Sequence, residues 1–189
     1  MAQLDISAIR IGELSVSKKG AKSAALTGSE TIVTWAPESQ MGVVFKPSAY
    51  NAPADANRVN LVLRPYDEVC QQVAELDEAI ISLAAKDSEH LFGKVLSEAS
   101  VRERYTPMLH DSSKGYAPTL KLKYTKTGPG CTRLWDEEKR PRGEPEDWMG
   151  CSCRVKLRLK NVWFMGTQFG VTAEAQDLLI YEQGAECPL

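Results

Sequence analysis

The sequence predicts an α+β fold in which an antiparallel sheet or small barrel carries a helical excursion. Stretches with period-two alternation occur before residue 65 and again after residue 118. Between them, one stretch from Asp67 to Lys86 has helical periodicity. Strands followed by helices and then by strands favour an α+β arrangement over an alternating parallel one.

The N-terminal part of the chain predicts five short strands. Apolar residues recur at alternate positions, and turn residues such as Gly20, Gly28 and Pro47 interrupt them. The predicted segments are 6–16, two short strands within 24–35, 43–45 and 59–63.

A helix is predicted from Asp67 to about Lys86. Five apolar residues recur there at spacings of four and three, which places them on one face. They are Val69, Val73, Leu76, Ile80 and Leu83. A second helix is predicted from Ser97 to Met108, with a break near Pro107. Together these segments form a helical insertion at about 66–110 in a single domain of residues 1–189.

Strands return after Gly115. The predicted segments are 119–126, 133–136, 154–165 and 171–181. Cys151 and Cys153 continue the parity of Val155 and Leu157, so we expect both thiols to be buried, reduced and free of metal.

Two of these strands carry stripes of positive charge. Between residues 154 and 160 apolar residues alternate with cations, so the cations share one face at intervals of roughly 7 Å, close to the spacing of phosphates along a nucleic-acid strand. In the segment 119–126, Lys121 and Lys123 likewise share one face. Lysines are also ordinary exposed residues of amphipathic strands, but acidic residues are almost absent from these two segments. The candidate binding cations are Lys121, Lys123, Arg154, Lys156, Arg158 and Lys160.

Aromatic residues crowd the same region. Aromatics are typical core residues, but they are also the platforms on which the bases of single-stranded nucleic acids stack. Trp163 and Phe164 are adjacent and therefore point to opposite faces of a strand, and a bulge at Asn161 would decide which of them faces outward. The predicted stacking residues are Tyr124, Trp163 and Phe164.

The sequence contains no recognisable catalytic, cofactor or zinc motif. Neither histidine accompanies a nucleophile signature, and the Thr127–Gly130 loop lacks the ending of a phosphate loop. Cys131 is distant from the Cys151/Cys153 pair, and nothing completes a tetrahedral metal site. We therefore expect a protein that is not an enzyme and that uses no cofactor or metal.

Composition indicates the compartment. The five cysteines are odd in number and irregularly spaced, and no long uncharged apolar segment is present. These features predict an intracellular protein, in the nucleus or cytoplasm, that is neither secreted nor bound to a membrane. The net charge of −2 excludes a polycation, so any attraction for polyanions must come from the distribution of charge.

The chain resembles the single-stranded-DNA-binding-like proteins of large nucleocytoplasmic DNA viruses and some protists. The resemblance is collinear and runs through Asp5-Ile6-Ser7, Gly12-Glu13-Leu14, Lys19-Gly20-Ala21-Lys22-Ser23, Pro37 with Met41-Gly42, Leu76-Asp77, Tyr116 to Lys123, Val162-Trp163-Phe164-Met165 and Phe169-Gly170-Val171-Thr172. The closing hairpin from Gly150 onward is also similar to the end of phage single-stranded-DNA-binding proteins with OB folds. The resemblance implies an OB-like antiparallel β-barrel with a helical insertion and binding of single-stranded nucleic acid without catalysis. It also suggests a viral-like protein with a role in DNA replication.

Two functions from different classes are consistent with these patterns. The leading one is non-enzymatic binding of single-stranded DNA or RNA through a cationic sheet face with aromatic stacking platforms. The alternative is a structural or scaffolding protein with an OB-like fold that mediates protein–protein contacts, for which the helical insertion offers a surface. Nucleic-acid binding predicts an affinity that falls steeply with salt, whereas scaffolding predicts little affinity and a defined oligomer.

Overall fold

The first part of the chain forms five short strands, as predicted. The computed structural model describes residues 4–29, 32–49, 53, 55–111 and 115–182. Ile6–Ala8 form a 3-10 turn, so the first strand begins later than the sequence pattern indicated. The strands are β1 (Arg10–Val16), β2 (Lys22–Thr27), β3 (Val33–Trp35), β4 (Met41–Ser48) and β5 (Arg58–Arg64).

The central part contains three helices. Helix α1 spans Asp67–Lys86, which confirms the predicted limits, and it buries the apolar face that its periodicity indicated. Helix α2 (Ser88–Phe92) was not predicted. Helix α3 (Glu98–Arg102) begins at Ser97, whose hydroxyl caps it by accepting the N–H of Ser100.

The predicted extension of this last helix to Met108 is wrong. Two short strands follow it instead, β6 (Tyr105–Thr106) and β7 (Leu109–His110). Pro107 disfavours the helical conformation at Thr106, and the extended backbone then pairs with the sheet at Phe169 and Gly170. The residues after α3 therefore belong to the sheet.

The remaining strands agree with the sequence pattern, apart from shifts at their ends. They are β8 (Thr119–Thr125), β9 (Arg133–Trp135), β10 (Cys151–Met165) and β11 (Gln168–Glu182). Strands β10 and β11 form one long antiparallel hairpin that turns at Gly166, where φ is +60°. A positive φ of this kind is adopted readily by glycine.

The sheet is mixed. Strand β10 pairs antiparallel with β2, β3, β4 and β11. Strand β11 pairs in parallel with β6, β8 and β9, so the prediction of a purely antiparallel sheet is wrong. These three segments reach the other edge of β11 through loops or helices instead of tight hairpins, and they can therefore run in its direction.

The pairings among five strands form a circuit. Strand β10 pairs with β4, β4 with β5, β5 with β8, β8 with β11, and β11 with β10 again. The core contains the inward residues of these strands, including Leu61, Leu122 and Leu157, none of which is exposed. Cys151 and Cys153 are 4% and 0% exposed, which confirms their predicted burial. Burial also raises the pKa of the Cys153 thiol to about 12.

A buried carboxylate joins α1 to the strands that follow the helices. Asp77 accepts a hydrogen bond from the Tyr105 hydroxyl at 2.5 Å and one from the backbone N–H of Met108 at 3.1 Å. Burial raises the pKa of Asp77 to about 6, although both hydrogen bonds act in the opposite direction. Helix α1 thereby fixes the position of residues 105–108.

Candidate nucleic-acid interface

Charged and polar side chains form a row across the outward face of the sheet. Asn60 of β5 pairs with Lys123 of β8, Lys123 with Glu174 of β11, and Glu174 with Arg158 of β10. Paired residues of neighbouring strands share a face, and strands lie about 4.8 Å apart. Lys123 and Arg158 are two strands apart and therefore face the same side at a separation of roughly 10 Å.

These residues border an open cleft of about 480 Å³, which we call the cationic cleft. Its lining includes four cationic side chains and, among the described residues, no acidic one. Burial together with the positive charges of Arg58 and Lys121 lowers the pKa of Lys123. The lining residues are Ser15, Ser23, Ala25, Arg58, Lys123, Arg158, Lys160, Asn161 and Thr172.

The positive charge of this cleft is only partly compensated. Nζ of Lys123 donates to Oδ1 of Asn60 at 2.8 Å, a neutral partner. The buried Nε of Arg158 has no hydrogen-bond partner among the described residues. Glu174 forms ion pairs with Arg58 and Lys160 at 2.6 and 2.9 Å. Because four cations line the cleft and only the one carboxylate of Glu174 is paired with them, the cleft keeps a positive excess that suits a polyanion.

A bulge in β10 determines which aromatic residue faces outward. The register with β11 shifts between Leu159 and Asn161, so Val162, not Asn161, points into the core. Trp163 consequently lies on the outward face. Phe164 points inward, where its ring is 6.0 Å from that of Phe169 in a stacked arrangement.

The Trp163 indole covers a glycine of the neighbouring strand. Gly170 pairs with Trp163, and a Cβ atom at position 170 would lie 2.7 Å from Cζ2 of the indole and 3.0 Å from the backbone oxygen of Thr106. An aromatic ring over a strand glycine protects backbone that lacks its own side chain. Gly170 therefore lets the indole approach the sheet closely.

We expect Gly170→Ala to destabilise the fold and to displace the indole. The methyl group would overlap Trp163 and press against a backbone oxygen that cannot move freely, a form of overpacking that costs about 1–3 kcal/mol. Urea unfolding measures this loss. Gly42→Ala is the matched control, because a Cβ atom at position 42 of β4 has no neighbour within 4 Å among the described residues. Equal stability of the two variants would contradict the expectation.

Trp163 separates two further clefts. The first, of about 390 Å³, we call the tryptophan cleft; its lining residues are Thr106, Pro107, Met108, His110, Lys121, Lys123, Trp163, Val171, Thr172 and Ala173. The second, of about 730 Å³, we call the turn cleft; its lining residues are Lys19, Gly20, Ala21, Lys22, Trp163, Phe164, Met165 and Gly166. Lys123 borders both the cationic and the tryptophan cleft, and Trp163 borders both the tryptophan and the turn cleft. The three clefts therefore form one continuous surface.

The structure brings together some of the predicted binding residues. Lys121, Lys123, Arg158, Lys160 and Trp163 border this surface. Arg154 and Lys156 share the outward parity of β10, but they line none of the three clefts. Phe164 borders the turn cleft, but its ring also packs against those of Phe92 and Phe169.

Tyr124 is not available for stacking. It is 2% exposed, its ring packs edge-on against Trp148 at 5.7 Å, and its hydroxyl donates to Oε1 of Glu144 at 2.9 Å. Tyr124 shares the buried face of β8 with Leu120 and Leu122. The prediction that Tyr124 contacts a base is therefore wrong.

Three residues of this face were not found from the sequence. Arg58 lines the cationic cleft, and Glu174, on a strand distant in sequence, forms an ion pair with it. Phe45 of β4 is 57% exposed and aligns with Lys121 through Val62 of β5. The alternation of β5 could have suggested Arg58, but only the strand register identifies the other two.

The described residues hold no group of three or more His, Cys, Asp or Glu side chains placed to bind a metal ion. Among the helices in the described part of the chain, none has the length and apolar character needed to cross a membrane.

Solved structures of phage proteins share this fold. A single-stranded DNA binding protein encoded by bacteriophage T7 matches with a TM-score of 0.53 and 16% identity, over 82% of this chain and 92% of its own. A C-terminal truncation of the single-stranded DNA-binding protein from bacteriophage Enc34 matches with a TM-score of 0.50 and 12% identity, over 91% of this chain and 96% of its own. No protein-family model matches the sequence, and no curated protein matches it significantly. At these identities the likeness concerns the fold.

Proposed function

We propose that this protein binds single-stranded DNA or RNA without catalysing a reaction. The observation that carries the proposal is the continuity of the cationic and tryptophan clefts, which places five lysine and arginine side chains and one outward indole on the same sheet face. A positive surface that follows the phosphates, together with an aromatic platform for the bases, is the usual arrangement for single-stranded nucleic acids.

The proposed path follows the three clefts. Phosphates contact Lys123, Arg158 and Lys160 in the cationic cleft, and one base stacks on Trp163. Lys22 of the turn cleft extends the positive surface beyond the indole. Phe45 is a second candidate platform, since it lies on the same face as Lys121 and is 57% exposed. Arg154 and Lys156 contact the nucleic acid only if its backbone continues along β10 past the cationic cleft.

We also propose that the circuit of five strands is an OB-like barrel and that residues 1–189 form one domain with the helices as an insertion. The pairing circuit and the fold of the phage proteins support this interpretation. In OB folds, nucleic acid binds across a strand face of the barrel. The row from Asn60 through Lys123 to Arg158 lies across such a face.

The charge contribution can be measured with the double variant Lys123→Ala/Arg158→Ala. We expect weaker binding for all sequences alike and a plot of log affinity against log salt that is flatter by about 1.4, since each lost phosphate contact removes about 0.7 for single strands. Fluorescence anisotropy with labelled oligonucleotides at several salt concentrations gives both quantities.

Lys86→Ala is the control for this experiment. Like each substitution of the double variant, it removes one positive charge, but it does so at the exposed C-terminal end of α1, where alanine is compatible with the helix. An unchanged slope in the double variant would argue against the cationic cleft as the phosphate path. If the wild-type protein has no affinity for any single strand even at low salt, the binding function is wrong, and a defined oligomer in solution would then favour the scaffolding function.

A further inference from the structure

One carboxylate lies among the cations that border the cationic cleft. Oε1 of Glu174 accepts hydrogen bonds from Nη2 of Arg58 at 2.6 Å and from Nζ of Lys160 at 2.9 Å. On the neighbouring strands Glu174 is paired with Lys123 on one side and with Arg158 on the other. All four cations of the cleft are therefore either bonded to this carboxylate or next to it in the sheet.

The geometry allows the two bonded cations to change partners. The side chains of Arg58 and Lys160 remain 46% and 42% exposed, whereas that of Glu174 is 19% exposed. Ion pairs with this exposure are weak, because water already solvates the cations. A phosphate oxygen can thus approach either cation from the solvent side while Glu174 stays in place behind it.

A carboxylate and a phosphate oxygen are alternative acceptors for the same donors. Both are anionic, and both bind the guanidinium and ammonium groups through charge-assisted hydrogen bonds. While Glu174 neutralises Arg58 and Lys160, these two cations neutralise fewer phosphates, and fewer of the cations condensed on the nucleic acid are released on binding. Its negative charge also repels a phosphate that enters between Lys123 and Arg158.

We propose that Glu174 is an intramolecular competitor of phosphate, which holds Arg58 and Lys160 in position and at the same time limits the affinity of the cationic cleft for nucleic-acid backbones. This proposal rests on the proposed function. Its consequence is a surface that releases a strand readily, because the carboxylate reclaims the two cations as the phosphates leave.

Glu174→Gln tests the proposal in the full chain. Glutamine keeps the length of the side chain and a carbonyl acceptor for Arg58, but it carries no charge. Removing a unit charge about 4 Å from a phosphate in water corresponds to a gain of about fivefold in affinity at low salt. The salt slope should steepen by about 0.7 to 1.4, as one or both cations take a phosphate.

Two variants serve as controls. Glu182→Gln makes the same change of charge at the C-terminal end of β11, where Glu182 forms an ion pair with Arg142 and lines none of the three clefts. It should leave affinity and slope unchanged. Glu174→Asp keeps the charge with a shorter side chain and should retain the slope of the wild type. Both are measured by anisotropy with labelled oligo(dT), alongside thermal unfolding of each variant.

The outcomes separate the two proposals. If the wild type binds and Glu174→Gln binds equally or more weakly, Glu174 only organises the cations and the competitor role is wrong. An equal gain in Glu182→Gln would also overturn it, since net charge alone would then explain the effect. Absence of binding by the wild type at low salt would instead refute the proposed function, and the competitor role with it.

Discussion

Asp77→Ala should strongly destabilise the protein. The substitution leaves the Tyr105 hydroxyl and the Met108 N–H buried without their acceptor, and each such group costs about 1–3 kcal/mol. The combined loss of about 2–6 kcal/mol is partly offset because the variant no longer buries a carboxylate. Urea unfolding at pH 7 measures it. Nucleic-acid affinity should fall as well, because residues 106–108 form one wall of the tryptophan cleft.

Asp77→Asn is the matched control for this variant. The asparagine oxygen can accept from Met108, and its amide can donate to the Tyr105 hydroxyl, so both buried groups keep a partner. We expect a stability at pH 7 equal to or above that of the wild type. A loss as large as that of the alanine variant would show that the network does not tolerate a neutral side chain and would contradict this account.

A comparison of the wild type with Asp77→Asn tests how the stability of the fold depends on pH. The pKa of Asp77 is raised to about 6 in the folded protein from a value of 3.8, so the folded state binds the proton more tightly. Its contribution to stability therefore increases as pH falls through 6 and is complete below about 4, with a total on the order of 3 kcal/mol. Asp77→Asn should lack this increase. Parallel curves for the two proteins between pH 4 and 7 would contradict it.

Trp163→Ala should remove the main stacking contact. Loss of one base–aromatic contact weakens binding by about 1–3 kcal/mol, which corresponds to about 5- to 150-fold in the dissociation constant. The salt slope should remain nearly unchanged, because stacking releases no counterions. Anisotropy titrations at several salt concentrations distinguish this result from that of the lysine and arginine variants.

Two further variants define the role of the indole. Trp163→Phe keeps an aromatic ring and should retain more affinity than Trp163→Ala. Tyr66→Ala removes an exposed aromatic residue at the N-terminal end of α1 and should have no effect. If Tyr66→Ala and Trp163→Ala weaken binding equally, or if the loss in Trp163→Ala disappears at high salt, the indole is not a stacking platform.

The parts of this structure that could be predicted depend on local patterns. The limits of α1 follow from apolar residues within one continuous segment, and the face of each strand follows from period-two alternation. The cations Lys121 and Arg158 could be assigned to an outward face in the same way. Local periodicity indicates which side of a helix or strand is buried, but it does not indicate which other element packs against that side.

What could not be predicted depends on register between distant strands. The shift between Leu159 and Asn161 decides the direction of Trp163, and the sequence allowed a bulge at Asn161 without requiring one. Glu174 becomes part of the interface only because β11 lies between β8 and β10. The short length of α3 depends on the pairing of Tyr105 with Phe169, a tertiary contact that outweighs local helix preference.

The long hairpin also determines when the fold can form during synthesis. Strand β10 pairs with β2, β3 and β4. Paired residues such as Ala24 and Val162 are therefore separated by most of the sequence. A ribosome that has made only the first 150 residues has not yet supplied the strand to which these three attach. We expect the edges of β2, β3 and β4 that pair with β10 to remain without their partner until the hairpin emerges. We also expect refolding in vitro to be slow, in the range of milliseconds to seconds that non-local sheets show.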